Sequence, residues 1–407
     1  MIATRPTMPA SRFIERLTAL QSLVERADLD AILVGVGPDL RYLAGYAAMP
    51  LERLTMLVVT PGGGRSLVVP RLEAAPARLC SPATTGDLQV VTWEEGDDAH
   101  ALVAALVGTL GGAGETDAGS ATGSATHAPA RDIRRIRVAV SDDLPARHLL
   151  PLQGHLDGAR FTPASAVIRE LRMIKDSDEI ALLTLAAQAA DRVVGQIAAG
   201  RLVGRSEIEV ADEVRARLLA EGHDAALFAI VGSGPNSASP HHEASDRVIR
   251  VGEPIVLDIG GMLGGYASDI TRTLWVTGGD PANDPDERFR HLFGVLHGAQ
   301  AAARAAVRPG VACATVDDAA RQPISAAGYG DAFFHRTGHG IGLEGHEEPY
   351  IIGGNAEPLR EGMAFSVEPG IYLPDAYGAR IEDIVVCGLD GPIELNQAPR
   401  ELCVVDG

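Results

Sequence analysis

H-R-T-G-H-G-I-G-L-E-G-H-E-E-P (335–349), F-S-V-E-P-G (365–370) and G-A-R-I-E-D (378–383) place three histidines and two glutamates in glycine-rich, strand-like context. Imidazole and carboxylate are the groups that first-row divalent metals accept, so His335, His339, His346, Glu368 and Glu382 are candidate ligands. His339 stands between glycines, where the backbone can approach a metal or a substrate closely. Pro369 cannot donate to a ladder, so the strand carrying Glu368 ends or lies at an edge there. Arg380 and Glu382 alternate onto one strand face, with Ile381 and Asp383 on the other. An exposed charge pair fits that spacing too, but the adjoining I-V-V makes the strand half-buried.

This segment does not complete a site for two metals, and the remaining carboxylates lie upstream. P-I-V-L-D-I-G-G (254–261) reads as an apolar strand ending in Asp258 before a glycine turn, so a turn cap and a ligand both fit Asp258. In Y-A-S-D-I-T-R-T-L-W-V (266–276), Ala267, Asp269, Thr271 and Thr273 share one face, which leaves room for a bulky centre. A buried, unpaired mid-strand Asp269 is costly, which favours a ligand there.

The 407 residues exceed what one core usually supports, so two domains are expected. A net charge of −19 argues against a nucleic-acid partner, which needs a basic footprint. Cys80, Cys313, Cys387 and Cys403 are scattered with no C-x-x-C, as in a reduced, cytoplasmic protein. The N-terminal residues carry no apolar signal region, no uninterrupted apolar run approaches a bilayer's thickness, and no membrane partner is expected.

In the first half, helical spacing at 11–27 and 99–110 alternates with apolar runs at 31–36, 55–60, 66–69 and 137–140, the pattern of an α/β domain. Residues 111–130, rich in Gly, Ser, Thr and Ala, read as a flexible insertion. The second half opens with two capping boxes, Asp176 with Glu179 and Ser206 with Glu209, each starting a helix. Helices near 285–307 and 315–327 follow, the latter kinked or shortened by Pro323. Strands are expected at 227–232, 254–259, 267–276 and 363–386. Two helices, strands, two helices, strands suggests a pseudo-repeat.

From about residue 169 onward the chain resembles the metal-dependent creatinase/prolidase family, peptidase family M24, through the five motifs around Asp258, Asp269, His339, Glu368 and Glu382. S-G-P-N-S-A-S-P-H-H-E-A-S-D-R (233–247) and G-H-G-I-G-L-E-G-H-E-E-P (338–349) are similar to its Xaa-Pro peptidase branch. The resemblance implies an α+β fold: a creatinase-type α/β N-terminal domain over 1–165, then a pita-bread catalytic domain over 166–407. It implies a dimetal Xaa-Pro dipeptidase or aminopeptidase acting on small peptides with proline second, with manganese, or cobalt or zinc, as the two ions, and a homodimer. Asp269 and Glu382 would bridge the metals, Asp258 completing one and His339 with Glu368 the other. Glu368 would relay a proton to the leaving nitrogen. His241 and His346 match substrate-facing, catalytic histidines, His242 is a solvated neighbour, and His335 supports them. Arg380 matches an arginine orienting Glu382, and Phe228 is a candidate wall for the proline ring, although a plain core Phe fits it too. Another small-amide hydrolase or a non-catalytic interaction module remain the rival readings.

Overall fold

The computed structural model describes residues 7–111 and 136–407; most of the expected 111–130 insertion lies outside them. The chain divides into two compact units, one of residues 9–172 and one of residues 173–407 together with the first eight.

In the first unit, β1 (Ala31–Val34), β2 (Met56–Val59), β3 (Arg65–Pro70), β4 (Gln89–Trp93), β5 (Arg137–Val140) and β6 (Arg160–Pro163) form one mixed sheet in the order β4-β3-β2-β1-β5-β6. The inner strands β1 and β2 are buried along their whole length, which explains why they read as short unbroken apolar runs. β4 and β6 are edge strands and half-exposed; lacking an apolar run, they left little trace in the sequence. The helix Ser165–Arg172 belongs to this unit: Arg172 pairs with Asp39 at 2.8 Å, and Tyr42 donates to the Leu171 carbonyl. The division therefore falls between residues 172 and 173, past the 165/166 boundary expected from sequence.

The second unit runs helix, helix, strands, helix, helix, strands. Helices Ser177–Ala198 and Glu207–Ala220 begin on the two expected capping boxes, both formed. Next come β7 (Ala225–Ser233), β8 (Glu253–Leu263) and β9 (Tyr266–Val276), then helices Glu287–Ala306 and Cys313–Ala326. The chain continues through β10 (Gly338–Gly340), β11 (Glu347–Ile351), β12 (Ala364–Val367), β13 (Gly370–Leu373), β14 (Tyr377–Arg380), β15 (Asp383–Gly388), β16 (Gly391–Glu394) and β17 (Cys403–Val405). One sheet has the order β17-β9-β8-β7, a second β11-β10-β12-β15-β16, and β13 and β14 form a hairpin.

Alternation places the core. Ile255, Leu257 and Ile259 of β8, with Ile270, Leu274 and Val276 of β9, pack beneath Val193, Val194 and Ile197 of the first helix. Their neighbours Asp258, Asp269 and Thr271 therefore face the other way. Helix Ser177–Ala198 is long and apolar enough by composition to cross a membrane, a length not seen in the sequence as one run; here its apolar face is buried against β8 and β9. The second helix pair buries Phe289, Leu296, Val316 and Ile324 against Phe365, Val367 and Val385.

Three local expectations are corrected. β8 does not end at Asp258 but runs on through Gly260 and Gly261, and the turn comes at Gly264–Gly265. A Cβ on Gly260 would collide with the Phe228 ring and with the Ser268 carbonyl, so these glycines serve strand packing. The helix through Pro323 continues to Ala326: the proline gives up the single bond to the carbonyl of Ala319, and the helix ends three residues beyond it. The strand carrying Glu368 ends before Pro369 as expected, but the stretch beyond it is three further strands, parted by a turn at 374–376 and again between Arg380 and Asp383.

Candidate metal centre

Five carboxylate and imidazole side chains converge between the two sheets of the second unit. Asp258 comes from mid-β8 and Asp269 from mid-β9. His339 is the centre of β10, Glu368 follows β12, and Glu382 precedes β15. Glu382 is tied across to β9: its N–H donates to the Thr271 carbonyl at 3.1 Å, and its Oε2 accepts from Thr271 Oγ1 at 2.7 Å. Beside it, Arg272 donates to the Glu382 carbonyl and to Asp383, which also accepts from Gln300 and Arg400. This buried network joins the sheets, and sequence reading assigned it no role.

Asp258, Asp269 and Glu382 bring one oxygen each within 4.8 Å of one another, and so do His339, Glu368 and Glu382 in one ligand atom each. His339 Nε2 lies 3.3 Å from Glu368 Oε1 and 3.8 Å from Asp269 Oδ2. His339 Nδ1 lies 3.1 Å from its neighbour's carbonyl at Gly340. With the proton on Nδ1, the Nε2 lone pair points at the acids.

Burial drives the electrostatics. It pushes the carboxyls of Asp269 and Glu382 well up, helped by the acids around each, and lifts Glu368 to about 7. It pushes His339 down to about 3, with His346 adding to the effect, so its ring is neutral. Among the described residues, Asp258 Oδ1, Asp269 Oδ1 and Glu382 Oε1 are buried with no hydrogen-bond partner. Orphaned buried oxygens are costly. Divalent cations would satisfy all three, so the residues fit a metal centre.

The other expected residues, His241, Phe228, His335 and His346, line a cavity of about 720 Å³ together with Arg336, the four acids and the His339 imidazole. His346 packs against His339 with ring centroids 3.8 Å apart and the rings tilted by 36°. Phe228 stands half-buried on the wall over Gly260, rather than in the core. His335 is part of the wall, 3.0 Å from the Tyr372 hydroxyl, and burial pushes its pKa to about 4.

Two assignments change. Arg380 does not bond Glu382: its Nη2 donates to Asp258 Oδ2 at 2.5 Å, and it reaches Glu382 only through Thr271, whose hydroxyl accepts from Arg380 Nε. The chain leaves strand pairing after Arg380, so the two side chains do not lie on one strand. His242 is not merely solvated: its Nε2 lies 2.7 Å from Glu207, a carboxylate with no exposure that also accepts from Ser233, Asn236 and Ser245. Tyr372 and Arg336 were not singled out from sequence. The glycine at 370, where a Cβ would meet the Tyr372 ring, was the available sign for Tyr372. For Arg336 it was a cation inside the histidine motif.

Residues 181–388 match the metallopeptidase family M24, and residues 16–174 match the creatinase/prolidase N-terminal domain. The dipeptidase PepE from Mycobacterium ulcerans has a similar crystal structure, with a TM-score of 0.86 and 43% identity over 98% of this chain and 99% of that one. The Xaa-Pro dipeptidase of Pyrococcus horikoshii is 30% identical over 95% of this chain and 98% of its own. The recombinant prolidase from Thermococcus sibiricus matches with a TM-score of 0.83 and 33% identity, over 98% and 100% of the two chains.

Proposed function

The chain belongs to metallopeptidase family M24, with a creatinase/prolidase N-terminal domain ahead of its catalytic unit, and on that basis we propose that it hydrolyses the bond preceding proline in small Xaa-Pro peptides, using two divalent ions. The observation that carries the reading is the trio of buried, unpartnered carboxylate oxygens opening on one cavity. Asp258, Asp269 and Glu382 would hold one ion, and His339, Glu368 and Glu382 the other, with Asp269 near enough to His339 to serve both. Two such ions supply hydroxide near neutral pH and polarise a carbonyl.

The chain's own groups do the rest. Glu368 is the most exposed of the four acids, and so the one placed to carry a proton from the nucleophile to the leaving imino nitrogen. His241 and His346 face the cavity and can donate to the substrate carbonyl. Phe228 offers an apolar surface to the proline ring. The X–Pro nitrogen lacks an N–H and carries a ring, so a dedicated cavity suits it. Oxygen and imidazole ligands suit manganese, with cobalt or zinc accepted by the same set. The four cysteines are free thiols, which fits a cytoplasmic location, and a homodimer is part of the same proposal.

The test is hydrolysis of Ala-Pro against Ala-Ala in added manganese. Cleavage of Ala-Pro alone supports the proline requirement. Equal cleavage of both would sink it and favour a broader amide hydrolase on the same centre.

A further inference from the structure

A second group of imidazoles lies within the first unit, whereas all five candidate ligands of the metal centre belong to the second. His100 stands at the start of the helix Ala99–Gly111, and His148 and His155 stand two turns apart on the helix Ala146–His155 packed against it. His100 Nε2 lies 3.2 Å from His148 Nδ1, with the rings tilted by 34°. Asp98 caps the first helix, its Oδ1 accepting from the His100 and Ala101 N–H groups. The same oxygen lies 3.9 Å from His100 Nδ1, and Asp98 Oδ2 lies 2.9 Å from His155 Nε2. The His100–His148 pair lines a cavity of about 390 Å³ together with Glu52, Asp97 and Asp98. Arg53 is also on that wall, but Glu52 and Glu95 engage its guanidinium.

A single shared proton accounts for the short contact, but the surroundings suit a cation better. Burial pushes the pKa of both rings down, with His100 and Arg147 adding to the effect at His148. Both are therefore neutral near pH 7, with a lone pair available to a metal. Two nitrogens held about 2.0–2.1 Å from one tetrahedral ion are about 3.3 Å apart, so the pair already has the spacing of a chelate. The carboxylates on the cavity wall, with the Arg53 charge already paired, favour positive charge there. Asp98 beside His100 Nδ1 favours the tautomer with its proton on that nitrogen, which leaves Nε2 as the ligand. We propose that His100 Nε2 and His148 Nδ1 chelate one divalent ion of the kind that prefers imidazole, such as zinc, nickel or copper, and that this ion clamps the two helices together. Among the described residues no third protein ligand joins the pair, so water from the cavity fills the remaining positions. The ring that donates in the free pair moves its N–H to its outer nitrogen; both imidazoles stay neutral and no proton is released. Manganese, which suits carboxylates, is left to the metal centre.

The experiment titrates the manganese-loaded wild type, His100→Gln and His148→Gln with zinc, measuring bound zinc and released manganese together. The wild type should take up one zinc per chain beyond any that replaces manganese, with a Kd of ~1–100 µM, well short of a four-ligand structural site. Each variant should bind that equivalent at least ~10-fold more weakly and keep its manganese. His100→Gln retains a hydrogen-bonding group beside His148, so its effect separates the ligand from the hydrogen bond. Calcium, which takes oxygen ligands, should leave the wild-type equivalent in place. A wild type whose zinc uptake is balanced by manganese release overturns the proposal whether or not a variant folds. Uptake that both variants keep also overturns it, because the ion then sits elsewhere. Displacement of the zinc by calcium does the same, since it assigns the ion to the acidic wall. Manganese content, rather than turnover, monitors the metal centre, so the outcome is independent of the Xaa-Pro reading.

Discussion

Asp258, Asp269, His339, Glu368 and Glu382 were legible in the sequence because each sits in a short motif whose neighbours are glycines or alternating apolar residues. Their neighbours' roles were less so. Spacing of two suggested that Arg380 serves Glu382; both side chains reach the Thr271 hydroxyl, but the Arg380 guanidinium bonds Asp258. A partner far along the chain leaves no spacing signal at all, as with His242 in a turn and Glu207 at the start of a helix. His346 is the sharpest case at this scale, since its ring packs against His339 and its ligand atom lies within 4.8 Å of those of Asp269 and His339. Burial, and then Arg336, push its pKa down, so it is neutral and can donate or accept. Replacing His241 or His346 by Ala should lower kcat on Ala-Pro ~10²–10⁴-fold with bound metal unchanged, the span of a positioned acid–base group. If metal is lost in step with activity, His346 is a ligand and the substrate role is wrong.

Elements were readable where a local rule acts alone. Both capping boxes formed as spelled, and the alternation in β9 put Asp269 and the core residues on opposite faces. β8 was cut short because Gly260 and Gly261 look like a turn, whereas strand packing against Phe228 and His223 demands them. The start of helix Glu207–Ala220 also does more than cap. Glu207 in its first turn gathers donors from Ser233, Asn236, His242 and Ser245. It thereby fixes the turn that delivers His241 to the cavity. Burial alone would raise its pKa, but those donors hold it at about 2. A carboxyl depressed in the folded state stabilises above its unfolded pKa of roughly 4.3. That contribution is lost as pH falls from there toward 2. Glu207→Gln should cost about 2 kcal/mol at neutral pH. Thermal melts should also show the wild type losing stability more steeply than the variant below pH 4. Parallel pH profiles for the two proteins would contradict this.

For the whole molecule, the helix–helix–strands order in the second half is the clearest trace of its two sheets, since each helix pair covers a strand set that could not bury its apolar face alone. Which strands pair was not readable, because β9 pairs both with its neighbour β8 and with β17 from the far end of the chain. The unit boundary was missed because Ser165–Arg172 is amphipathic and could begin either unit; its contacts to Asp39 and Tyr42 decide. Residues 111–130 are too poor in large apolar side chains to bury a core. Their deletion with a short Gly/Ser bridge should leave melting temperature and Ala-Pro hydrolysis nearly unchanged. Loss of folding on deletion would show that the insertion packs.

That buried acids and one imidazole hold the catalytic metals is tested most directly by metal content and activity measured together. The protein is stripped with chelator, titrated with manganese and assayed on Ala-Pro, beside Asp269→Asn and Glu382→Gln. The expected result is no turnover without metal and recovery that saturates near two equivalents per chain. Both variants should stay folded, with metal and activity lost. Full activity in the metal-free wild type, or near-normal turnover in either variant, would contradict the account.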